Sequence, residues 1–304
     1  MPTVRFVGPG RAGRSLSAAL AAAGWRVVGF VGRHDDVSTA ADGVDVLVLA
    51  TPDDAVAAVA AAVRPRPDTV VLHLSGSLGL DVLAPHRRRA ALHPLVPLPN
   101  PHDGARRLAA GATFAVAGDP VARRMAEALG GRVVEVADAD RAAYHAAAAI
   151  AANHVVALLG QVERVAATAG LPLDAFLDLT RAAVDDVARL GPRRALTGPA
   201  ARGDWATLAR HLDALPPEER AGYNAGVGLA LQLAIDGPTP ADLAAAPAAA
   251  DRVAAPVPVP ADLVAAPVPA DPTAFPAAAP AVAGPADVDD VPEVRMPPVP
   301  AGVG

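Results

Sequence analysis

Three glycines near the N-terminus carry the strongest chemical signal in the sequence. Val4 to Ser15 reads V-R-F-V-G-P-G-R-A-G-R-S, an apolar run leading into Gly8-x-Gly10-x-x-Gly13. In such a pattern one glycine makes a tight turn, one lets the backbone approach a pyrophosphate, and one lets a helix pack closely on a strand. The pyrophosphate then rests on the free N–H groups of a helix N-terminus. Gly8, Pro9, Gly10, Arg11, Ala12 and Gly13 are therefore candidate dinucleotide-binding residues. Arg33 follows the apolar run Arg26 to Val31, with no carboxylate before it. It stands about 20 residues past the glycines, where an acidic side chain would hold a ribose 2′-hydroxyl and an arginine would accept a 2′-phosphate. NADP(H) is thus expected rather than NAD.

Other candidates fall where apolar runs end. Ala50-Thr51-Pro52-Asp53 closes one run, and Thr51 can offer its hydroxyl to a ribose while Asp53 also suits a helix N-cap. His73-Leu74-Ser75-Gly76-Ser77 closes the next, with Ser75 the better-placed group for a nicotinamide or a substrate carbonyl. His93-Pro94 fits both substrate binding and a structural turn. Further on, Tyr144-His145 and Asn153 share one helical stretch, separated by small residues that leave room for a ligand. Residues eight apart on a regular helix differ by about 80°, near enough to face one cleft. Histidine titrates nearest neutrality, so His145 is the candidate proton donor and Asn153 a candidate for orienting the substrate. Arg202, in the loop Leu196 to Asp204, could pair a carboxylate or tie the loop to Asp204.

Composition narrows the class. The chain has 304 residues, enough for two domains, and a net charge of −6 with no basic stretch of nucleic-acid-binding size. It has no cysteine, so disulfides and thiolate chemistry are excluded, and no metal site is expected. All 26 basic Lys/Arg positions are arginine, so no lysine can act as acid or form a Schiff base. No signal peptide is expected, and the Ala-rich runs read as too short or too polar to span a membrane. The expected protein is cytoplasmic, with no membrane or nucleic-acid partner.

These residues need a scaffold. Apolar runs at Val44–Ala50, Thr69–Leu74, Ala90–Leu92, Thr113–Ala117 and Arg132–Val136 alternate with helical stretches, which predicts a doubly wound parallel sheet over 1–137. From Asp138 the pattern becomes all-helical, with segments at 138–169, 173–190 and 204–215 and a last helix from Pro216 to about Ile235. The segment 237–304 holds 16 of the 32 prolines, too many for helix interiors or central strands, and reads as a disordered or polyproline-like tail. The expected organisation is a Rossmann α/β domain (1–137), an all-α domain (138–236) and a Pro/Ala-rich tail (237–304).

Taken in order, Gly8 to Gly13, Thr51-Pro52-Asp53, Ser75-Gly76, His93-Pro94, Tyr144-His145-Ala146-Ala147 with Asn153, and Thr197-Gly198-Pro199 with Arg202-Gly203-Asp204 resemble one family. These are Rossmann-like proteins whose helical half is domain of unknown function 2520, similar to the 6-phosphogluconate dehydrogenase-like superfamily. That superfamily includes ketopantoate reductase and pyrroline-5-carboxylate reductase. The resemblance covers about 1–236. It implies an NADP-dependent oxidoreductase reducing a small 2-keto acid, with ketopantoate suggested by the frequent neighbourhood of pantothenate genes. It also implies a homodimer through the helical domain. Ketopantoate reductases place a proton-donating lysine early in the first interdomain helix, and His145 occupies that region here. A second reading from another class is a dinucleotide-binding regulatory or scaffold protein without turnover. A third is a reductase with imine or deazaflavin chemistry.

Overall fold

The computed structural model describes residues 1–235, so the proline-rich 237–304 lies outside the described residues. The chain forms two compact units, Met1–Phe176 and a second beginning at Leu177.

All seven expected strands are present. They are β1 (Thr3–Val7), β2 (Arg26–Val31), β3 (Val46–Leu49), β4 (Val70–His73), β5 (Arg89–Pro94), β6 (Thr113–Gly118) and β7 (Arg132–Glu135). They form one sheet in the order β2-β1-β3-β4-β5-β6-β7. Helices α1 (Arg11–Ala22), α2 (Asp53–Ala62), α3 (Pro101–Leu108) and α4 (Val121–Ala128) connect strands. Along β3, Val46 and Val48 join one buried cluster with Phe6, Leu16 and Leu72, whereas Leu47 and Leu49 join another with Val56 and Leu83. A strand covered on both faces reads as continuous rather than alternating apolar sequence, which is why these runs were legible. Each such fully buried Val or Leu contributes about 1.5–3 kcal/mol.

The sheet is not wholly parallel. β5 and β6 pair antiparallel, with Leu92 opposite Val116, while every other neighbouring pair is parallel. An apolar run buried on both sides carries no mark of its direction, so the expectation of a parallel sheet needs correction at this pair.

After β7 the secondary structure becomes helical, as expected, but the packing boundary comes later. Helix α5 (Arg141–Ala149), a π-turn (Ile150–His154) and α6 (Val155–Thr168) run on without a break inside the first unit. The reason is local: Arg141 is 1% exposed, and its guanidinium reaches the Ser75 carbonyl beyond β4. Joined in this way, Asp138–Thr168 is long and apolar enough to cross a membrane by length and composition alone. The Ala-rich run near 146–160 is expected to be too polar to span; its continuation into the longer helix Asp138–Thr168 corrects that expectation for this run alone.

Helix α7 (Asp174–Leu190) begins at the end of the first unit and runs into the second, where α8 (Pro192–Ala195), α9 (Pro199–Arg202), α10 (Trp205–Ala214) and α11 (Pro217–Ile235) follow. The expected loop at Leu196–Asp204 thus contains a one-turn helix. Asp204 caps α10 by accepting from the Thr207 N–H at 3.1 Å. His211 and Tyr223 join α10 to α11 through a 2.6 Å hydrogen bond.

Candidate active site

The three N-terminal glycines occupy three different environments. Gly8 has φ +97°, and a Cβ there would meet the Ala50 carbonyl oxygen at 2.6 Å. A Cβ on Gly13 would strike the Gly8 carbonyl oxygen and sit 3.0 Å from Cβ of Ala50, so α1 packs tightly on the turn. Gly10 faces open space, with nothing within 4 Å of an added Cβ. It also precedes α1 without any side-chain cap, and the first turn of α1 carries no acidic residue. Uncapped N–H groups beside an open glycine fit the pyrophosphate of a dinucleotide. Pro9 and Arg11 are exposed here, and Ala12 packs against the core.

Two neighbours extend this fit. The Thr51 hydroxyl oxygen is buried and has no partner, an orphan that a ribose hydroxyl would satisfy. Arg33 is exposed past the end of β2, while the nearby Asp35 carboxylate is engaged by the Gly32 N–H at 2.7 Å. An open cationic side chain beside an occupied carboxylate suits a phosphate.

Asp53 and Ser75 turn toward each other. Pro52 precedes α2 and Asp53 is its first residue. The Asp53 carboxylate accepts from the hydroxyls of Ser75 at 2.6 Å and Ser77 at 2.8 Å. The Ser75 oxygen in turn accepts from the N–H groups of Ser77 and Leu78, both at 3.1 Å. Its hydrogen-bonding capacity is spent on shaping the turn, so Ser75 positions its neighbours.

Gly76 is enclosed by imidazoles. A Cβ there would lie 2.8 Å from Cδ2 of His145 and 2.9 Å from Cε1 of His93. The His93 and His145 rings meet edge to face at 5.8 Å, and Nδ1 of His93 lies 2.6 Å from the Tyr144 hydroxyl. The ends of β4 and β5 and the start of α5 therefore converge at one point. Burial foremost, then His145 and the Arg141 guanidinium, pulls His93 down to about 4. Burial likewise lowers His73, with help from Arg141, to about 4, and pushes the Tyr144 hydroxyl up to about 12.

A cavity of about 680 Å³ opens beside this cluster. His93, His145 and Asn153 supply its polar groups, and Leu95, Val96 and the alanines of α5 and the π-turn supply apolar wall. The π-turn has a direct effect on this lining. Its i→i+5 pattern fits an extra residue into the turn, which rotates Asn153 back toward the face of His145. A regular helix would leave the two farther apart around the axis.

Arg141 was not singled out from sequence, where a charged residue opening an Ala-rich helix reads as solvated. It is instead a buried cation, bonded to Asp138 at 3.2 Å and to the Ser75 carbonyl at 3.5 Å, with Nη2 unpartnered. Asp138 also accepts from the Leu80 N–H at 2.9 Å, so the pair fixes the loop after β4. Arg202 belongs to the second unit, where it ends α9 before the left-handed Gly203.

Residues 112–228 match the family model described as Domain of unknown function (DUF2520). The match begins beside β6 and reaches into α11, so it takes in two strands as well as helices. No curated protein matches the sequence. Among solved structures, BF3122 of Bacteroides fragilis, described as a putative NADP oxidoreductase, is 18% identical with a TM-score of 0.65, over 76% of this chain and 98% of that one. Protein TM1727 of Thermotoga maritima is 23% identical with a TM-score of 0.59, over the same shares of each chain. Pyrroline carboxylate reductase of Plasmodium falciparum, solved with NADP bound, is 12% identical with a TM-score of 0.51, over 77% and 98%. At these identities the likeness establishes a shared fold.

Proposed function

For this Rossmann-like chain with a DUF2520 region, we propose an NADP(H)-dependent reductase of a small 2-keto acid, with ketopantoate as the first candidate. One observation carries the reading. His93 and His145 close over Gly76 at the carboxyl ends of the strands, where open α/β sheets bind ligands, and open into an apolar cavity. The neighbours described as NADP oxidoreductases or solved with NADP support the choice of cofactor.

The residues divide the work. The Gly8–Gly13 turn and the α1 N-terminus hold the pyrophosphate, Thr51 meets a ribose, and Arg33 pairs the 2′-phosphate. Bound there, the nicotinamide supplies a hydride. His145 gives a proton to the oxygen of the reduced carbonyl, the role left open by the absence of lysine. Asn153 orients the substrate, and the apolar wall accommodates its carbon skeleton while excluding water. Ser75 and Asp53 hold the turn that carries Gly76.

The reading includes a cytoplasmic homodimer. Ile150 is 57% and Leu158 53% exposed on the helix Asp138–Thr168, an apolar face that a second copy would cover. Sedimentation of the purified chain without detergent tests this, and a monomer would remove it.

The main test is NADPH oxidation with a panel of 2-keto acids including ketopantoate, for wild type and His145→Ala. Turnover that falls at least about a hundredfold in the variant is the expected result. Tight NADPH binding with no turnover on any substrate would instead favour a dinucleotide-binding regulatory protein.

A further inference from the structure

His93 is held in an arrangement that decides where its ring proton lies. Nδ1 lies 2.6 Å from the Tyr144 hydroxyl, and the two rings stand perpendicular with centroids 5.6 Å apart. Tyr144 keeps its proton, since burial raises its hydroxyl to about 12. His93 is neutral at neutral pH, since burial and its neighbours lower it to about 4. A neutral imidazole has one N–H and one acceptor nitrogen. A protonated phenol against Nδ1 makes that nitrogen the acceptor, which places the ring proton on Nε2. Among the described residues, Nε2 has no protein partner, and His93 lines the cavity.

We infer that His93 is a tautomer-locked hydrogen-bond donor, presenting Nε2–H to the carbonyl oxygen of the cavity ligand, and that Tyr144 is the positioning residue that sets the lock. The carbonyl ligand rests on the reductase reading; the tautomer does not. A fixed N–H aimed at oxygen gains strength as negative charge develops there, and a neutral imidazole can fill that role. Both groups keep their protons throughout. Passing the Nε2 proton on would draw a proton from Tyr144, whose hydroxyl holds it up to about 12. In the balanced step the carbonyl carbon receives a hydride, its π pair moves to oxygen, His145 supplies the proton, and the nicotinamide is left oxidised.

The groups facing His93 make this state robust to pH. They are Tyr144, His145 and Arg141 from α5, Asp53 from α2 and His73 from β4. Of these, His145, Arg141 and His73 oppose protonation of His93 and Asp53 favours it, and burial is the largest single influence.

The test is 15N NMR of the full chain carrying labelled histidine, with His93 assigned by loss of its signals in His93→Gln. The expected pattern is a bare Nδ1 and a protonated Nε2, unchanged from neutral pH to about pH 5 while an ordinary histidine titrates. Tyr144→Phe should mix the two tautomers. With any 2-keto acid that is turned over, it should also lower kcat roughly tenfold and leave KM within about twofold, the pattern of an interaction made in the transition state. A wild-type His93 protonated on Nδ1, or on both nitrogens at neutral pH, would overturn the inference without reliance on any variant. An unaltered tautomer in Tyr144→Phe would overturn the part assigned to Tyr144. Failure of every 2-keto acid would remove the reductase reading and leave the tautomer measurement to decide this one.

Discussion

A methyl group on Gly76 would stand 2.8 Å from Cδ2 of His145, closer than real Cβ contacts allow. The turn after β4 and the first helix after the sheet are thus fitted to one another at the centre of the site. Gly76→Ala must displace an imidazole. Because small displacements of reacting groups are costly, kcat/KM should fall roughly ten- to a hundredfold while the far-ultraviolet circular dichroism stays unchanged. Wild-type kinetics in Gly76→Ala would show that the His93–His145 spacing is irrelevant.

Two of the N-terminal glycines should fail in different ways. An alanine at Gly13 meets backbone, so it should lower Tm, at a cost of about 1–3 kcal/mol. An alanine at Gly10 meets nothing within 4 Å, so it should leave Tm in place and weaken NADPH binding at least tenfold by blocking approach of the pyrophosphate. Thermal melts and fluorescence titrations separate the two effects. Equal behaviour of the two variants would contradict the division of roles.

Arg33 is the proposed reader of the 2′-phosphate. Arg33→Ser should raise the Kd for NADPH roughly tenfold or more and leave NADH binding nearly unchanged, the difference expected for one lost charge-assisted contact. A parallel loss for both nucleotides would show that Arg33 acts on the fold instead.

Mild acid should destabilise the first unit. His73 and His93 are lowered from 6.5 to about 4, chiefly by burial. Between these values the unfolded chain binds more protons than the folded one, so stability rises with pH across the window and is lost as pH falls through it. Melting curves should show Tm dropping between those limits, with a shallower slope in His73→Gln. A flat Tm across the window would mean that these rings are solvated.

Much of this arrangement is readable in the sequence, for identifiable reasons. β3 and β4 are buried on both faces, so Val46–Leu49 and Val70–His73 stand out as short apolar runs. The glycine pattern announces its own geometry because Gly8 and Gly13 sit where a Cβ would meet backbone. Strand direction leaves no such trace, and β6 therefore gave no sign of running against β5. Nor does the π-turn: Ile150-Ala-Ala-Asn-His154 has the composition of ordinary helix, yet it resets the face on which Asn153 lies. Arg141 was invisible for a different reason. Its burial depends on the Ser75 carbonyl and Asp138, partners brought together only by the fold.

The most direct test of the central claim follows the hydride itself. NADPH carrying deuterium at its transferable position would be mixed with the full chain and ketopantoate, and the products read by mass spectrometry. The account predicts one deuterium on the carbinol carbon of the 2-hydroxy acid, with the yield abolished or sharply reduced in His145→Ala. Reduced product without the label would contradict direct transfer from the nicotinamide, and undiminished labelled product from His145→Ala would contradict the role given to that histidine.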